Sequence, residues 1–439
     1  MSKPIIAIVG RPNVGKSTLF NRLVGRRVAV VADIPGTTRD RISLDAQWEG
    51  RTFIIVDTGG LGQDPTSPVA TQVEAQVEMA IQEADCIIFL TDARDGITPA
   101  DADIGGRLRE QKRRVVLAVN KADGPPVAQQ ATEFYKLGLG EPIPISAYHN
   151  SGIDQLMDAV LATIPESEDN EIEADMVSLA IVGRVNVGKS ALVNAVLGAN
   201  RVIVSDMPGT TRDAIDTPFT YKGQQVLLID TAGIRRPGRV EPGVEQYSVL
   251  RTITAIDRAD VVFLVLDATE LAISQDTHIA GQVADAYKGL VILVNKWDLA
   301  PQLGLNQAAC LAEIRRRFNF APYAPVNFVS ALRNTGIADA LEVALVLYQE
   351  RTKTIPQSQL SSAVMTAMAE NLPPTKGKHS LRLHKVVQEG VNPPVIAFYV
   401  NDPELVHFSY HRYLENRLRE SLGFRWTHLK LDFKGRKER

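Results

Sequence analysis

The sequence contains few cysteines and no long apolar run. Its two cysteines, Cys86 and Cys310, lie far apart with no His or Cys at metal-ligand spacing, which argues against a disulfide or a zinc site and predicts buried structural thiols. The longest apolar stretches, such as 261–266, are strand-sized and far shorter than the roughly 20 residues of a membrane helix. The start of the chain lacks the charged, apolar and cleavage regions of a signal peptide. We therefore expect a cytoplasmic protein without a membrane span.

Charge is distributed unevenly along an otherwise ordinary globular composition. The 439 residues are 45% hydrophobic and 23% charged, and the length suggests about three domains. Residues 353–439 hold 14 Lys and Arg against 8 Asp and Glu, whereas residues 1–352 hold 34 against 43. Five of the seven histidines also lie in the last segment. A basic end on an acidic body indicates a local nucleic-acid footprint.

Two segments match the glycine-rich phosphate-binding pattern Gly-x-x-x-x-Gly-Lys-Ser. They are Gly10-Arg11-Pro12-Asn13-Val14-Gly15-Lys16-Ser17 and Gly183-Arg184-Val185-Asn186-Val187-Gly188-Lys189-Ser190. Each follows an apolar run and opens a helical pattern, which places backbone N–H groups and a helix N-terminus around a polyphosphate. The lysine of each loop is predicted to reach the outer phosphates, and the serine hydroxyl to bind Mg²⁺. One chain therefore carries two phosphate-binding loops.

Further motifs repeat in the same order. An offset of 173 residues relates the loops, Pro35-Gly36-Thr37-Thr38-Arg39-Asp40 to Pro208-Gly209-Thr210-Thr211-Arg212-Asp213, and Asp57-Thr58-Gly59-Gly60 to Asp230-Thr231-Ala232-Gly233. The offset grows to 175 for Asn120-Lys121-Ala122-Asp123 and Asn295-Lys296-Trp297-Asp298, and to 184 for Ser146-Ala147 and Ser330-Ala331. The second copy thus has small insertions in its later loops.

The Asn-Lys-x-Asp motifs follow strands and predict the base of the nucleotide. A carboxylate at Asp123 or Asp298 can accept from guanine N1–H and the 2-amino group together. Adenine has no 2-amino group and presents an acceptor at N1, so it would leave the carboxylate unpaired. The Ser-Ala turns can add backbone donors to guanine O6. The sequence therefore predicts two sites for GTP or GDP.

Other repeated residues are predicted to contact Mg²⁺ and the γ-phosphate. Asp57 and Asp230 end strands, so each can hold Mg²⁺ through water while Gly60 or Gly233 offers a backbone N–H to the γ-phosphate. A threonine would bring a switch loop onto both groups, and hydrolysis would break this contact. The candidates are Thr38 or Thr37 in the first copy and Thr211 or Thr210 in the second. An ordinary turn is the alternative interpretation of each Thr-Thr pair.

In each copy, short β-branched runs alternate with amphipathic stretches. The predicted strands are 5–9, 53–56, 87–90 and 115–119 in the first copy, and 179–182, 226–229, 261–266 and 290–294 in the second. Strands separated by helices predict a doubly wound α/β fold with a parallel sheet and the motifs at the carboxyl ends of the strands. Residues 42–48 are expected to pair antiparallel with 52–56.

The segment after the first copy and the end of the chain have different patterns. Residues 166–176 contain six acids and little apolar patterning, which predicts a flexible acidic linker or, alternatively, a charged solvated helix end. The last segment predicts a helix over 358–370, strands over 381–387 and 395–400, a helix over 408–422 and a strand over 426–433. This order describes a small α/β unit.

The five motifs in this order resemble the translation-factor-like branch of P-loop GTPases. Doubled and followed by a short basic domain, they resemble the Der or EngA family of ribosome-assembly GTPases over essentially the whole chain. The resemblance implies P-loop GTPase domains at 1–165 and 177–352 and a KH-like domain at 353–439. RNA-binding KH domains clamp a nucleotide backbone with a Gly-x-x-Gly loop, and this motif is missing here.

The basic residues of the last segment could nevertheless grip RNA phosphates by charge, with a steep salt dependence. They are Lys376, Lys378, His379, Arg382, His384, Lys385, Lys434, Arg436, Lys437 and Arg439. A solvated basic face that docks on the GTPase domains is the alternative.

The resemblance implies hydrolysis of GTP to GDP and phosphate. The catalytic candidates are Lys16, Thr38, Gly60, Lys189, Thr211 and Gly233. Ras-type enzymes orient the attacking water with a glutamine where this chain has Leu61 and Ile234, and an aliphatic side chain cannot do so.

The resemblance suggests a K⁺ ion as a substitute, beside the β and γ phosphates. Its candidate ligands are Asn13 and Thr37 in the first copy, and Asn186 and Thr210 in the second. Such a cation could neutralise charge as an arginine finger does, an effect worth about 10³–10⁵ in rate. Arg39 and Arg212 could instead act as fingers in cis, or could be solvated or structural arginines.

The two copies differ after the third motif. The first continues with neutral and acidic residues, whereas the second has Arg235, Arg236 and Arg239. This basic segment could contact RNA or the C-terminal domain in one nucleotide state, or could be an exposed loop without a partner.

Taken with the resemblance, the motifs predict a monomeric GTPase switch that binds the large (50S) ribosomal subunit or its precursor, and ribosomal RNA. One alternative is a GTPase that gates an RNA-modification activity, although no cofactor fingerprint or Cys and His constellation supports it. A signalling or membrane-remodelling GTPase is another alternative. The chain shows neither lipidation motifs nor an amphipathic membrane helix for it.

Overall fold

The structure is a computed structural model that describes most of the chain. The described residues are 3–25, 43–58, 77–78, 80–81, 84–111, 114–124, 131–164, 176–199, 202–204, 216–229, 244–373, 375–376 and 379–435. They form two compact units, one containing the first sheet and the other containing the second sheet together with the C-terminal sheet. No described helix is both long and apolar enough to cross a membrane.

The first unit contains a six-stranded sheet in the order β2-β3-β1-β4-β5-β6. Its strands are β1 (Ile5–Val9), β2 (Ser43–Trp48), β3 (Arg51–Asp57), β4 (Cys86–Asp92), β5 (Val115–Asn120) and β6 (Ile143–Pro144). Its helices are α1 (Lys16–Gly25), α2 (Pro99–Glu110), α3 (Ile153–Thr163) and the 3₁₀ helix Ala131–Leu137. Neighbouring strands are parallel except β2, which is antiparallel to β3. The predicted parallel sheet and its hairpin edge are confirmed.

Alternation along β1 explains the two layers of helices. Ile5, Ala7 and Val9 face a core that includes α2, whereas Ile6 and Ile8 face a core that includes α1 and α3. A strand buried on both faces appears in the sequence as a continuous apolar run, so β1 was predicted correctly from the sequence. Both sulfhydryls of the chain, at Cys86 and Cys310, are buried and free, as expected.

The second unit contains a seven-stranded sheet in the order β13-β12-β11-β7-β10-β9-β8. Its strands are β7 (Val177–Val182), β8 (Val202–Val204), β9 (Thr217–Tyr221), β10 (Gln224–Ile229), β11 (Val261–Asp267), β12 (Gly289–Asn295) and β13 (Val326–Phe328). Its helices are α4 (Lys189–Leu197), the end of α5 (Val244–Arg258) from Ala255 onward, α6 (Ser274–Asp285), α7 (Ala300–Leu303), α8 (Gln307–Arg317) and α9 (Ile337–Arg351). Strand β7 again alternates between two cores, one on each face.

The C-terminal part places two helices on one face of a three-stranded sheet. Its elements are α10 (Gln357–Glu370), β14 (Thr375–Lys376), β15 (His379–Ser380), β16 (Leu383–Gly390), β17 (Val395–Val400), α11 (Phe408–Leu422) and β18 (Lys430–Gly435). The sheet order is β16-β17-β18, with β16 antiparallel and β18 parallel to β17. Both predicted helices and the strand 395–400 are confirmed.

Two predicted strand boundaries were wrong. The strand predicted over 381–387 runs from 383 to 390, because its pairing with β17 continues through a register shift to Gly390. The strand predicted over 426–433 begins only at Lys430. The residues before it instead contact α9 and the segment before β12: Trp426 N donates to Glu350 Oε2 at 2.8 Å, and the His428 ring stacks on Tyr287 with centroids 4.7 Å apart.

A buried arginine joins the C-terminal sheet to the amino ends of the second sheet. Arg351, the last residue of α9, is 1% exposed; its Nη1 donates to Tyr287 O and its Nε to Asn392 Oδ1, both at 2.9 Å. Asn392 Nδ2 then donates to Asp260 Oδ1 at 2.6 Å. The other oxygen of Asp260 accepts from Ser178 N at 2.9 Å, at the start of β7. Burial lowers the pKa of Arg351 to about 10, so the guanidinium remains charged at neutral pH.

Replacing Arg351 with alanine should destabilise the second unit by about 3 kcal/mol, because it leaves buried acceptors on Tyr287 and Asn392 without their charged donor. Urea unfolding followed by tryptophan fluorescence measures the change. The control is Arg316→Ala, which removes an exposed arginine from α8 and should leave the transition unmoved. A loss below about 1 kcal/mol for Arg351→Ala would show that the contact is not structural.

Candidate functional site

Both glycine-rich loops take the backbone shape expected for binding phosphate. Asn13 and Gly15 have left-handed φ values of 66° and 98°, and Asn186 and Gly188 have 64° and 97°. Each loop joins the carboxyl end of a central strand, β1 or β7, to the first turn of a helix, α1 or α4. Left-handed residues in such a turn direct successive N–H groups toward one concavity, which suits an anion.

The loop lysines lie folded over their own loops. Lys16 Nζ donates to Gly10 O at 2.8 Å and Arg11 O at 3.0 Å, and Lys189 Nζ donates to Gly183 O at 2.7 Å and Arg184 O at 2.6 Å. Burial lowers the pKa of Lys16, against an opposing effect of Asp57, and lowers the pKa of Lys189 to about 8. A phosphate beside either ammonium would favour its charged form, so the lysines are suited to bind anions.

One asparagine in each copy connects three loops. Asn120 Nδ2 donates to Val14 O at 2.7 Å, and its Oδ1 accepts from Ala147 N at 3.0 Å. Asn295 makes the same bonds with Val187 O at 2.9 Å and Ala331 N at 3.0 Å. The phosphate loop, the Asn-Lys-x-Asp motif and the Ser-Ala turn are therefore held together at both sites.

The contact is close enough to require glycine in the loop. A Cβ added to Gly15 would lie 2.4 Å from Asn120 Nδ2, and one added to Gly188 would lie 2.3 Å from Asn295 Nδ2. The Ser-Ala turns are predicted to supply backbone donors to guanine O6, and within them the Ala147 and Ala331 N–H groups donate to these asparagines. The O6 donor therefore stays a prediction.

The aspartates predicted to bind guanine are oriented by serines. Ser146 Oγ donates to Asp123 Oδ1 at 2.6 Å, and Ser330 Oγ donates to Asp298 Oδ1 at 2.5 Å. The Ser146 hydroxyl, and then Arg94, lower the pKa of Asp123, which keeps this carboxyl ionised. An ionised, fixed carboxylate is the acceptor that guanine N1–H and the 2-amino group require.

Two oxygen groups meet at the first predicted Mg²⁺ site. Ser17 Oγ donates to Asp57 Oδ2 at 2.6 Å, and Thr58 Oγ1 donates to Ile8 O at 2.6 Å, which ties the end of β3 to β1. A hydroxyl and a carboxylate side by side fit a hard cation such as Mg²⁺. In the second copy, Ser190 occupies the corresponding helix start.

The remaining predicted residues lie outside the described residues. They are Thr37, Thr38, Gly59, Gly60, Leu61, Thr210, Thr211, Asp230, Thr231, Ala232, Gly233 and Ile234, together with Arg39, Arg212, Arg235, Arg236, Arg239, Lys378, Arg436, Lys437 and Arg439. The acidic segment 166–175 also lies outside them.

A buried aspartate that was not predicted from the sequence supports the base-binding motif in each copy. Lys121 Nζ pairs with Asp92 Oδ2 at 2.5 Å, and Lys296 Nζ pairs with Asp267 Oδ2 at 2.6 Å. Lys121 Nζ also donates to Asn13 O at 2.9 Å. The signal was available, because Asp92 and Asp267 share the offset of 175 that relates the base-binding motifs.

One difference between the two base-binding rims is the residue two positions after the buried aspartate. In the first copy, Arg94 Nη2 donates to Asp123 Oδ2 at 2.6 Å, on the carboxylate predicted to bind guanine. Thr269 occupies the corresponding position in the second copy and donates to Asp267 Oδ1 at 2.7 Å instead. An arginine thus competes for the carboxylate at one site and not at the other.

Comparisons with known proteins agree with this geometry. The model for the family described as 50S ribosome-binding GTPase matches residues 5–121 and 178–296, and that for the KH-domain-like C-terminal domain of EngA bacterial GTPases matches residues 354–434. GTPase Der of Chloroflexus aggregans is 50% identical over 447 residues, covering 100% of this chain and 99% of that protein. GTPase Der of Caldanaerobacter subterraneus is 47% identical over 439 residues, covering 100% of each. The chain belongs to the GTPase Der family.

Membership confirms the family and the fold predicted from the sequence: two P-loop GTPase domains and a KH-like domain, with guanine nucleotide as the ligand. GTPase Der of Geobacillus thermodenitrificans, 45% identical over 437 residues, also matches from end to end. The shared length means that both GTPase domains and the C-terminal domain are features of the family rather than additions in this chain.

Exchanging the residues at Arg94 and Thr269 should reverse the difference in GDP affinity between the two sites. Arg94→Thr should tighten GDP binding at the first site about 2- to 5-fold, because an exposed ion pair is worth at most roughly 1 kcal/mol. Thr269→Arg should weaken binding at the second site by a similar factor. Titration with a fluorescent GDP analogue measures each site when the phosphate-loop lysine of the other is replaced by alanine. Unchanged affinities in both variants would show that Arg94 does not compete with guanine.

Proposed function

We propose that this chain is a GTP-hydrolysing switch in ribosome biogenesis. It binds the precursor of the large (50S) subunit and its RNA late in assembly, in a nucleotide-dependent way, and leaves after hydrolysis. It acts as a monomer in the cytoplasm, and GTP sets the timing of release rather than yielding a product. The description 50S ribosome-binding GTPase, carried by the family model that matches both GTPase domains, supports this partner.

The main structural support is the duplication of one complete set of nucleotide-binding contacts. In each copy, a lysine lies over a phosphate loop, an asparagine ties that loop to the base-binding motif, and a serine orients the aspartate for guanine. A single chain would thus register two nucleotide states. An enzyme that only needed to hydrolyse GTP would gain nothing from a second site with a different rim.

In the proposed reaction, each residue has a limited task. Lys16 and Lys189 leave their loop carbonyls and bind the outer phosphates, and the fixed loop N–H groups align the chain of phosphates for in-line attack. Ser17 and Asp57 would hold Mg²⁺, which neutralises charge on the phosphate oxygens when bound. Thr38, Gly60, Thr211 and Gly233 are proposed to contact the γ-phosphate and Mg²⁺.

The C-terminal domain is proposed to contact ribosomal RNA by charge. Arg382, His384 and Lys385 are exposed at the edge strand β16 and just before it. Lys434 lies on β18 and pairs with Glu389, so it contributes less. Because Arg351 fixes this domain to the second GTPase domain, a contact with RNA would hold that domain on the subunit as well.

Cosedimentation with ribosomal subunits at fixed moderate salt tests the proposed function. The chain should migrate with the 50S subunit in the presence of a non-hydrolysable GTP analogue and remain at the top of the gradient with GDP or without nucleotide. Lys16→Ala and Lys189→Ala, tested singly, should show which site controls the association. Migration at the top in all three states would contradict the proposal and favour an RNA-modification or signalling role.

We further propose that K⁺ stimulates hydrolysis, with Asn13 and Thr37, or Asn186 and Thr210, as ligands. GTP turnover should then be higher in KCl than in NaCl at equal ionic strength. Asn13→Gly and Asn186→Gly should each reduce this stimulation, because glycine keeps the left-handed backbone while removing the amide oxygen. Equal turnover in the two salts would contradict the proposal.

A further inference from the structure

The second residue of each phosphate loop is an arginine whose side chain points away from the loop. Arg11 pairs with Asp95, and its Nε lies 3.4 Å from Asp101 Oδ2. Arg184 Nη1 pairs with Glu270 Oε2 at 2.6 Å, and its Nε lies 3.6 Å from Asp276 Oδ1. The same pair of acids, one exposed and one buried, thus surrounds the arginine in both copies.

The buried acids are held in place by the starts of the following helices. Asp101, at the third position of α2, is 0% exposed, and its Oδ2 accepts from Thr98 N at 3.0 Å and Thr98 Oγ1 at 2.7 Å. Asp276, at the third position of α6, is also 0% exposed, and its Oδ2 accepts from Ile273 N at 3.1 Å. Each aspartate therefore caps a helix and faces the arginine of a phosphate loop.

Each arginine and its buried aspartate compensate one another's charge. Arg11 Nε and Asp101 Oδ1, like Arg184 Nε and Asp276 Oδ1, are buried and make no hydrogen bond to any described residue. The opposite charge within 4 Å is then the compensation for the loss of water around these atoms. Removing the arginine would leave a buried carboxyl without its charged partner and would remove the contact that holds the start of the loop.

The backbone of the same arginine contacts the catalytic lysine. Arg11 O accepts from Lys16 Nζ, and Arg184 O accepts from Lys189 Nζ. The loop also passes close to the neighbouring strand, since a Cβ on Gly10 would lie 2.3 Å from Leu90 O. The side chain of Arg11 and the tight passage at Gly10 together fix the start of the loop.

We propose that Arg11 and Arg184 are positioning residues for nucleotide binding, each of which fixes its phosphate loop against a buried helix-capping aspartate, Asp101 or Asp276. They act through the loop backbone and touch neither phosphate nor base. The pairs set the affinity of each site separately, because each lies within one GTPase domain. Because the chain has two equivalent sites, the same substitution made in either copy should change the nucleotide affinity of that copy alone.

The test measures the affinity of each site for a fluorescent GDP analogue in the full-length chain. The first site is read in a Lys189→Ala background and the second in a Lys16→Ala background. Arg11→Ala should weaken the first site about 10- to 100-fold, as expected for a small displacement of aligned groups, and leave the second unchanged. Arg184→Ala should do the reverse. Arg11→Lys, which can pair with one acid but not span both, should give an intermediate loss.

A double-mutant cycle separates positioning from a general loss of structure. Arg11→Ala combined with Asp101→Asn should bind no more weakly than the worse single variant, because both changes break the same pair. Arg51→Ala is the matched control: its Nη1 and Nη2 donate to Leu161 O and Ile164 O, away from the loop, so it should lower the thermal midpoint without changing affinity.

The proposal is overturned if Arg11→Ala lowers the thermal midpoint as the control does but leaves GDP affinity within twofold of the parent. It is also overturned if the losses from Arg11→Ala and Asp101→Asn add fully, or if Arg11→Ala weakens both sites equally. Should Arg11→Ala not fold, Asp101→Asn, which keeps the size of the side chain, supplies the same comparison.

Discussion

Each nucleotide site depends on a buried asparagine at the end of β5 or β12 that hydrogen-bonds two neighbouring loops. Asn120 and Asn295 are 3% and 2% exposed, and each joins the phosphate loop to the turn that follows the next strand. An amide can do this because it carries a donor and an acceptor on one planar group. Aspartate would lose the donor and leave a buried loop carbonyl unsatisfied, which costs about 1–3 kcal/mol. The spacing between phosphate and base positions is thus set before a ligand arrives.

At the opposite end of each sheet, equivalent aspartates make different contacts in the two GTPase domains. In the first, Asp85 Oδ2 accepts from Ile5 N at 2.8 Å and so fixes the start of β1. In the second, Asp260 Oδ2 accepts from Ser178 N in the same way, and its Oδ1 accepts from Asn392 Nδ2 of the C-terminal domain. A contact that is local in one copy has become, in the other, the attachment of a further domain. Arg351 then donates to the same asparagine from the end of α9.

The sequence predicted those parts of the structure that depend on local pattern. Strands buried on both faces are continuous apolar runs, and the nucleotide motifs are short and contiguous, so both were located. Strands β6 and β13, of two and three residues, are too short to give a pattern. Arg351 could not be identified, because its partners lie 41 and 64 residues away and a lone arginine at a helix end is ordinarily solvated. Residues 426–429 were predicted as part of a strand, but Trp426 and His428 instead contact Glu350 and Tyr287 of the second GTPase domain.

The two duplicated sites have different surroundings, so they should respond differently to nucleotide. The described contacts around the two phosphate loops are nearly identical, so the described differences between the sites lie in the base-binding rims and the attached parts. At the first site, Arg94 must release Asp123 before guanine can use both carboxylate oxygens, whereas Thr269 imposes no such step on the second. In the second GTPase domain, strand β7 connects two regions. It contacts the attachment of the C-terminal domain at Ser178 and leads into the phosphate loop at Gly183. A chain built in this way can hold nucleotide at its second site, next to the domain proposed to contact RNA, while the first site exchanges more readily.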